Sequence, residues 1–508
     1  MSSAGLPAGQ EREQLRYAWR ALSVVCMASV LATIEGNALN VALPKLVDQT
    51  KASAAAASWI LLAFQLTTTV LTVIFGRLAD MFGRRTMYLC GLGVYTLASL
   101  LAGMAPDPWL IVGMRVVQAA GMAMLLTNSA ALISDAFPRH RLGEGMGVYT
   151  ASFSISQLAG PTLGGLLVEH LGWRWLFWYN VPLGMACLIW GAIVLRRPAP
   201  GEDGQRLDLP GSFMILLSLG GLLLALSEVT RLGWAHPVIL AGLAFFVVLL
   251  PVFIAWELRS PHPVVDIRMF RDPTFGLGTL ASFLSSIARM GVVILIALFF
   301  QAVHGDTAVE ASLKLLPLSI AAMIASVTSG FLQRRFSPRS LAMFGSSLST
   351  AGLGTLLLVI GADAPALAIM AGLLVLGFGS GTFLPSNATV LLSELPSNRL
   401  GIMNAMRLML QSVGIVVGTA LSLSIITAPL PPAMHDHVFA GTLSHVSDAA
   451  VQRLVTGYRW ALACLVGISA LATLTCLWRG HLGEPGGDRR GHRGGGHADP
   501  AARRPVAG

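Results

Sequence analysis

One carboxylate and one guanidinium stand where the sequence is otherwise apolar. Glu35 falls in the first long hydrophobic run, about 12 Å from its outer end at 1.5 Å per residue. Arg115 falls in the fourth run, about 10 Å from the same side, so their depths match. An ionised carboxylate in such surroundings costs several kcal/mol, so it needs a partner, a proton or a function. Two readings follow. The pair is a permanent ion pair that pins two helices, or Glu35 alternates between a protonated acid and a carboxylate paired with Arg115. Burial favours the neutral acid and a nearby guanidinium favours the anion, so such a group can take a proton from one side and release it to the other.

Two more cations lie in apolar runs. Arg289 sits in the middle of the ninth, and Arg407 about 9 Å from the inner end of the thirteenth. If Glu35 serves Arg115, neither has an intramembrane acid left. Arg289 is expected to line a central cavity or to partner Glu35 in one conformation, and Arg407 is shallow enough to snorkel. Asn37, Asn40, Gln65, Gln118, Asn128 and Gln157 are candidates for the same cavity or for hydrogen bonds between helices.

The elements that position these groups are membrane spans. The 508 residues are 54% hydrophobic and only 12% charged, mean hydropathy is +0.69, and the apolar residues fall in about fourteen blocks near the ~20-residue crossing length. The net charge of +9 does not point to nucleic acid. With the N-terminus in the cytoplasm, about 24 of the basic residues fall inside and about 7 outside, the usual positive-inside bias. The expected location is therefore the inner (cytoplasmic) membrane, multi-pass, with both termini cytoplasmic, and the first span is an anchor rather than a cleaved signal. Cys26, Cys90, Cys187, Cys464 and Cys476 all fall in spans without CxxC spacing, which implies buried thiols rather than disulfides or a metal site. His435, His437, His492 and His497 read as solvated loop and tail residues. No cofactor and no metal are expected, and the intramembrane residues offer no nucleophile and base pair, so an enzyme is disfavoured. Only Lys45, Lys51 and Lys314 are present and none follows Gly, which excludes a P-loop for ATP. Energy must come from a gradient, at about 2.3 kcal/mol per charge per 100 mV of potential.

Between the second and third runs lies Gly76-Arg77-Leu78-Ala79-Asp80-Met81-Phe82-Gly83-Arg84-Arg85. Gly76 and Gly83 read as the exits of a hairpin, Asp80 as an acceptor for a helix start, and Arg84 and Arg85 as contacts to anionic lipid. At an offset of 254 residues, Gly76 aligns with Gly330, Leu78 with Leu332, Phe82 with Phe336 and Arg85 with Arg339, while Asp80 falls opposite Arg334. Two related bundles about a pseudo-two-fold axis are implied. The expected all-α membrane fold has a lead (1–19), a six-helix bundle (20–195), a linker (196–210), two inserted transmembrane helices (211–256), a linker (257–273), a second six-helix bundle (274–478) and a disordered tail (479–508). Ser156, Gly160 and Gly164 recur every four residues in the fifth run, a smooth face for close approach that either seals a leak path or is ordinary small-residue packing, and Pro161 loosens the helix there.

These motifs resemble those of the major facilitator superfamily. The loop decapeptide matches its signature between the second and third spans. Glu35-Gly-Asn-Ala-Leu-Asn40-Val-Ala-Leu-Pro44 resembles the first-span signature of the fourteen-span drug:proton antiporters, where the acid is usually Asp; Glu places the carboxylate one methylene further out. Arg115-Val-Val-Gln118-Ala-Ala-Gly121 is similar to the fourth-span motif whose Arg is implicated in proton transfer. Gly160-Pro161-Thr-Leu-Gly164-Gly165 is similar to the fifth-span motif of exporters, and Trp173 to Gly184 to the segment after it. The resemblance implies a major facilitator fold and export of amphipathic or lipophilic small molecules in exchange for protons. In it Glu35 and Arg115 couple the proton, and Gly76, Asp80, Gly83, Arg84 and Arg85 latch the halves on the cytoplasmic side. The remaining alternatives are a narrow metabolite exporter, a proton-coupled importer of the same fold, and a non-transporting membrane sensor. The expected partners are the solute, protons and the bilayer; no periplasmic adaptor is indicated by the sequence.

Overall fold

A computed structural model describes residues 8–196, 208–260, 263, 265, 267–361, 364–393, 400–429 and 448–482. The described residues are helical and contain no strand. The first half comprises α1 (Ala8–Thr50), α2 (Ala54–Phe82), α3 (Arg84–Met104), α4 (Pro108–Ala136), α5 (Leu142–His170), the short α6 (Trp175–Trp178) and α7 (Asn180–Val194). Then come α8 (Leu209–Leu232) and α9 (Pro237–Arg259). The second half comprises α10 (Pro273–Ala302), the short α11 (Ala308–Lys314), α12 (Leu316–Leu332), α13 (Pro338–Val359), α14 (Ala366–Ser393), α15 (Leu400–Thr427) and α16 (Asp448–Leu482). His435, His437, His492 and His497 lie outside the described residues.

Many of these helices start at a recognisable signal. Asp107, Asp208, Asp272 and Ser337 each cap a helix with a side-chain oxygen and are followed within two residues by Pro, which costs no hydrogen bond in the first turn. Thirteen described helices are long and apolar enough to cross a membrane. α5 is also 29 residues long, but Ser, Thr and Gly dilute its hydropathy; counted as a crossing, it makes fourteen. α6 with α7, and α11 with α12, each share one crossing. α1 begins at Ala8, so the expected polar lead is largely helix.

The halves pack as related bundles. α2 lies against α15, and its counterpart α12 lies against α5. α8 and α9 pack on each other and lean on the α2–α15 edge, where Val70 and Val73 meet Ile215, Leu219, Met406 and Met409. Cys90 is exposed and Cys26 and Cys464 half-buried rather than enclosed, and none of the five forms a disulfide among the described residues. The end of the bundle where α1 begins, and where Arg84, Arg141 and Arg334 gather, is called the basic face below.

Candidate functional site

Glu35 is buried (1% exposed) at a point where five helices of the first half meet. Arg115 Nη1 of α4 donates to Glu35 Oε1 at 2.7 Å. Gln118 Nε2, one turn on, donates to Oε2 at 2.7 Å, and Asn180 Nδ2 at the start of α7 donates to the same oxygen at 2.6 Å. The Tyr95 hydroxyl of α3 is a further donor to Oε2. The donors are themselves fixed. Arg115 Nη1 also donates to Gln118 Oε1 (2.8 Å), its Nε to the Ile60 carbonyl of α2 (3.1 Å), and its guanidinium lies 4.0 Å from the centre of the Phe64 ring. Gln118 Nε2 donates to Ser99 Oγ at 2.7 Å. The donors divide three on Oε2 and one on Oε1, which suits an ionised carboxylate and leaves one lone-pair position of Oε1 open.

The small-residue face of α5 supports the same stretch of α1. A Cβ on Gly160 would lie 2.5 Å from Asn37 Cβ and 3.2 Å from the Ile34 carbonyl oxygen, and one on Gly164 would lie 2.6 Å from Ala38 Cα. Ser156 Oγ donates to the Val30 carbonyl at 3.4 Å. The seam therefore grips residues 30 to 38, the turns that carry Glu35. Gly165 faces open space, the Pro161 side chain lies outside the described residues, and α5 runs on as helix through that position.

The loop motif works differently from its sequence reading. Gly76 does not end a helix: α2 continues to Phe82, and the missing Cβ admits α15, whose Ala405 Cβ would be 2.5 Å away. Asp80 does not cap the helix that follows. α3 begins at Arg84, and Gly83 before it (φ 90°) supplies no side-chain cap. Instead Asp80 reaches across to the second half and accepts the backbone N–H groups of Gly401 (3.2 Å) and Ile402 (3.0 Å), the exposed donors at the start of α15. Arg84 stands 3.7 Å from Asp80 and also pairs with Asp135, and Arg85 donates to the Ala192 carbonyl at 2.9 Å.

The repeated loop makes a second contact between the halves with the charges reversed. Gly330 packs on Gly143 and Gly147 of α5, with 2.6 Å from its would-be Cβ to the Gly143 oxygen. Arg334 Nε donates to Glu144 Oε1 at 2.6 Å, and Arg141 grips both oxygens of Glu144 at 2.7 and 2.9 Å. Burial pushes the Glu144 carboxyl up, but the hydrogen bonds and charges of Arg334 and Arg141 outweigh it and hold it below the usual carboxylate range. Asn404 Nδ2 adds a bond to the Thr127 carbonyl at 2.9 Å, so three sets of hydrogen bonds join the halves near the basic face.

The other sequence candidates are scattered. Arg407 does not reach for the surface; it is buried and donates to Asn404 Oδ1 at 2.9 Å. Arg289 is half-buried and is not one of the four donors to Glu35. Asn37 and Asn128 donate to carbonyls of their own helices, at Thr33 and Met124. Gln65 and Gln157 are exposed, and the Asn40 side chain lies outside the described residues. No group of three or more metal-ligating side chains occurs among the described residues. Tyr95, Ser99, Asn180 and Glu144 were missed as site residues. Asn180 lies within the Trp173–Gly184 motif, which was a usable signal; Glu144 stands three residues from Arg141 at the rim of a run.

Two related helical bundles hydrogen-bonded to each other at one face, with a buried ion pair in one of them, have the architecture of a membrane transporter. The Major Facilitator Superfamily profile matches residues 25–419, and the chain belongs to that superfamily. It is 30% identical over 401 residues to the multidrug resistance protein Stp of Mycobacterium tuberculosis, covering 79% of this chain and 74% of that one. It is 23% identical over 456 residues to the riboflavin transporter RibZ of Clostridioides difficile, covering 89% and 97%. Among solved structures, the proton:xylose symporter XylE aligns with a TM-score of 0.61 at 15% identity over 92% of this chain and 96% of that one, a likeness of fold.

Proposed function

We propose that the protein exports lipophilic or amphipathic compounds across the cytoplasmic membrane in exchange for protons, with both termini in the cytoplasm and the basic face inward. The observation that carries this reading is the set of four donors on Glu35. A proton bound at Glu35 removes the charge that Arg115 faces and so weakens the bond from Arg115 Nη1 to Oε1. Arg115 also holds the Ile60 carbonyl, so its release loosens α2 from α4. α2 carries Asp80, the latch to α15. Protonation at the centre of the first bundle is thereby connected to the seal between the halves, which is what coupled exchange requires. The grip of α5 on residues 30 to 38 keeps the carboxylate in register and closes a leak path along α1. The two bundles, 20–195 and 274–478, are the rocking units, and α8 and α9 are an insert outside that mechanism. Similarity to a named multidrug resistance protein supports export and a broad solute range.

A second reading, transport of one metabolite, is favoured by the similarity to a riboflavin transporter along nearly the whole chain. The same experiment separates them. Purified protein in liposomes is given a pH gradient, and movement of a lipophilic cationic dye is compared with that of riboflavin. Gradient-driven dye movement supports the proposal. Riboflavin movement without dye movement favours the narrow transporter, and flux of neither solute under any gradient contradicts the antiporter reading.

A further inference from the structure

α1 begins at the basic face, where Glu11 of its first turn meets His140 of the loop after α4. It begins at Ala8, and Arg12, Arg16 and Arg20 recur every four residues, one line of guanidinium groups about 12 Å long. The end of α7 leans against this line. Between them is a cavity of about 960 Å³ whose lining includes Arg12, Glu13, Arg16, Arg20, Trp190 and Arg196.

Among the described residues, the walls are fixed by bonds that leave the three arginines of α1 available. The Arg196 guanidinium stacks 4.2 Å from the centre of the Tyr17 ring, and Trp190 Nε1 donates to Ser23 Oγ at 3.0 Å. Glu11, the first acid of α1, pairs with His140 at 3.3 Å. The lining therefore sets four guanidinium groups against the one carboxylate of Glu13. Below the cavity, Met185, Ile189 and Ile193 of α7 recur every four residues and are 46%, 57% and 71% exposed. A cationic cradle thus opens onto an apolar track that enters the bilayer, with a tryptophan at the level between them.

We propose that this cavity binds the headgroup of an anionic phospholipid of the surrounding bilayer, with the acyl chains lying along Met185, Ile189 and Ile193. A soluble phosphate would satisfy the arginines but leave both the size of the cavity and its apolar floor unused. The bound lipid fastens α1 to α7, the helices that bring Glu35 and Asn180 together, and so stiffens the carboxylate site from outside it. The inference is independent of which solute is carried.

The test uses the full chain purified in mild detergent, with phosphatidylglycerol or phosphatidylcholine added, read by native mass spectrometry and by thermal melting. Each arginine near a charged headgroup contributes roughly fivefold in affinity. Arg12→Gln, Arg16→Gln and Arg20→Gln together should weaken phosphatidylglycerol retention by about 100-fold and abolish its rise in melting temperature. Arg16→Gln alone, with an expected loss of about fivefold, keeps the test open if the triple variant fails to fold. Equal retention by variant and wild type, equal stabilisation by phosphatidylcholine, or the same stabilisation by inorganic phosphate alone would each overturn the proposal.

Discussion

Asp80→Asn should open the basic face. In the native arrangement one carboxylate accepts two backbone N–H groups at the start of α15, at 3.2 and 3.0 Å. Hydrogen bonds to a charged group contribute about 1 kcal/mol more than neutral ones, and a carboxylate at a helix start gains up to ~2 kcal/mol from the dipole. Asn keeps one acceptor oxygen and loses the charge. These effects overlap, and a net loss of about 2 kcal/mol shifts the ratio of closed to open forms by roughly 30-fold. Spin labels at Arg139→Cys and Arg335→Cys, exposed positions on opposite halves, report the separation by pulsed electron resonance in a background without native cysteines. Asp80→Asn should move weight from the short to the long distance. An unchanged distance distribution would refute the latch, because no other role for Asp80 explains its contact with a helix 321 residues away.

Gly164→Val should lower the melting temperature and abolish transport, since the new atoms meet Ala38 within 2.7 Å and overpacking of this kind costs about 1–3 kcal/mol. Arg334→Ala should weaken the second contact between the halves by about 1 kcal/mol, a modest value because Arg334 is 47% exposed; the same spin-label pair reads it. The pH dependence of that contact follows from Glu144. Its carboxyl is held below the usual range, so the stabilisation is complete above the unfolded carboxylate value of about 4.3 and is lost only as pH falls through the lower folded value. Glu144 should therefore add no pH dependence to the label distances between about pH 8 and 5. Arg115→Lys keeps the charge but cannot reach Glu35, Gln118 and Ile60 together; with a loss of ~1.5–3 kcal/mol per charged bond, gradient-driven flux should fall at least about tenfold.

The pairing of Glu35 with Arg115 was legible in the sequence because the bilayer makes isolated charges expensive, and depth along a helix can be counted from residue spacing. The repeat at Gly76 and Gly330 was legible as sequence, and it placed Asp80 opposite Arg334. What each residue touches was not. Asp80 looked like a local cap because its true partners, the N–H groups of Gly401 and Ile402, are backbone atoms that leave no mark in a side-chain pattern. Tyr95 and Asn180 sit in largely apolar helices, and their convergence on Glu35 depends on the rotation of α3 and α7, which small shifts in helix boundaries would change. Arg407 looked shallow by distance along α15; the bundle packs around it and Asn404 takes its hydrogen bond instead.

The central claim is that proton binding at Glu35 drives exchange. It is tested most directly in liposomes containing a pH-sensitive dye, with purified wild type or Glu35→Gln protein, by adding a lipophilic cationic solute and recording proton movement alongside solute flux. Gln cannot titrate, so the account predicts solute-driven proton movement in the wild type and none in the variant, whose solute flux no longer responds to an imposed pH gradient. Proton movement in Glu35→Gln equal to that of the wild type would contradict it.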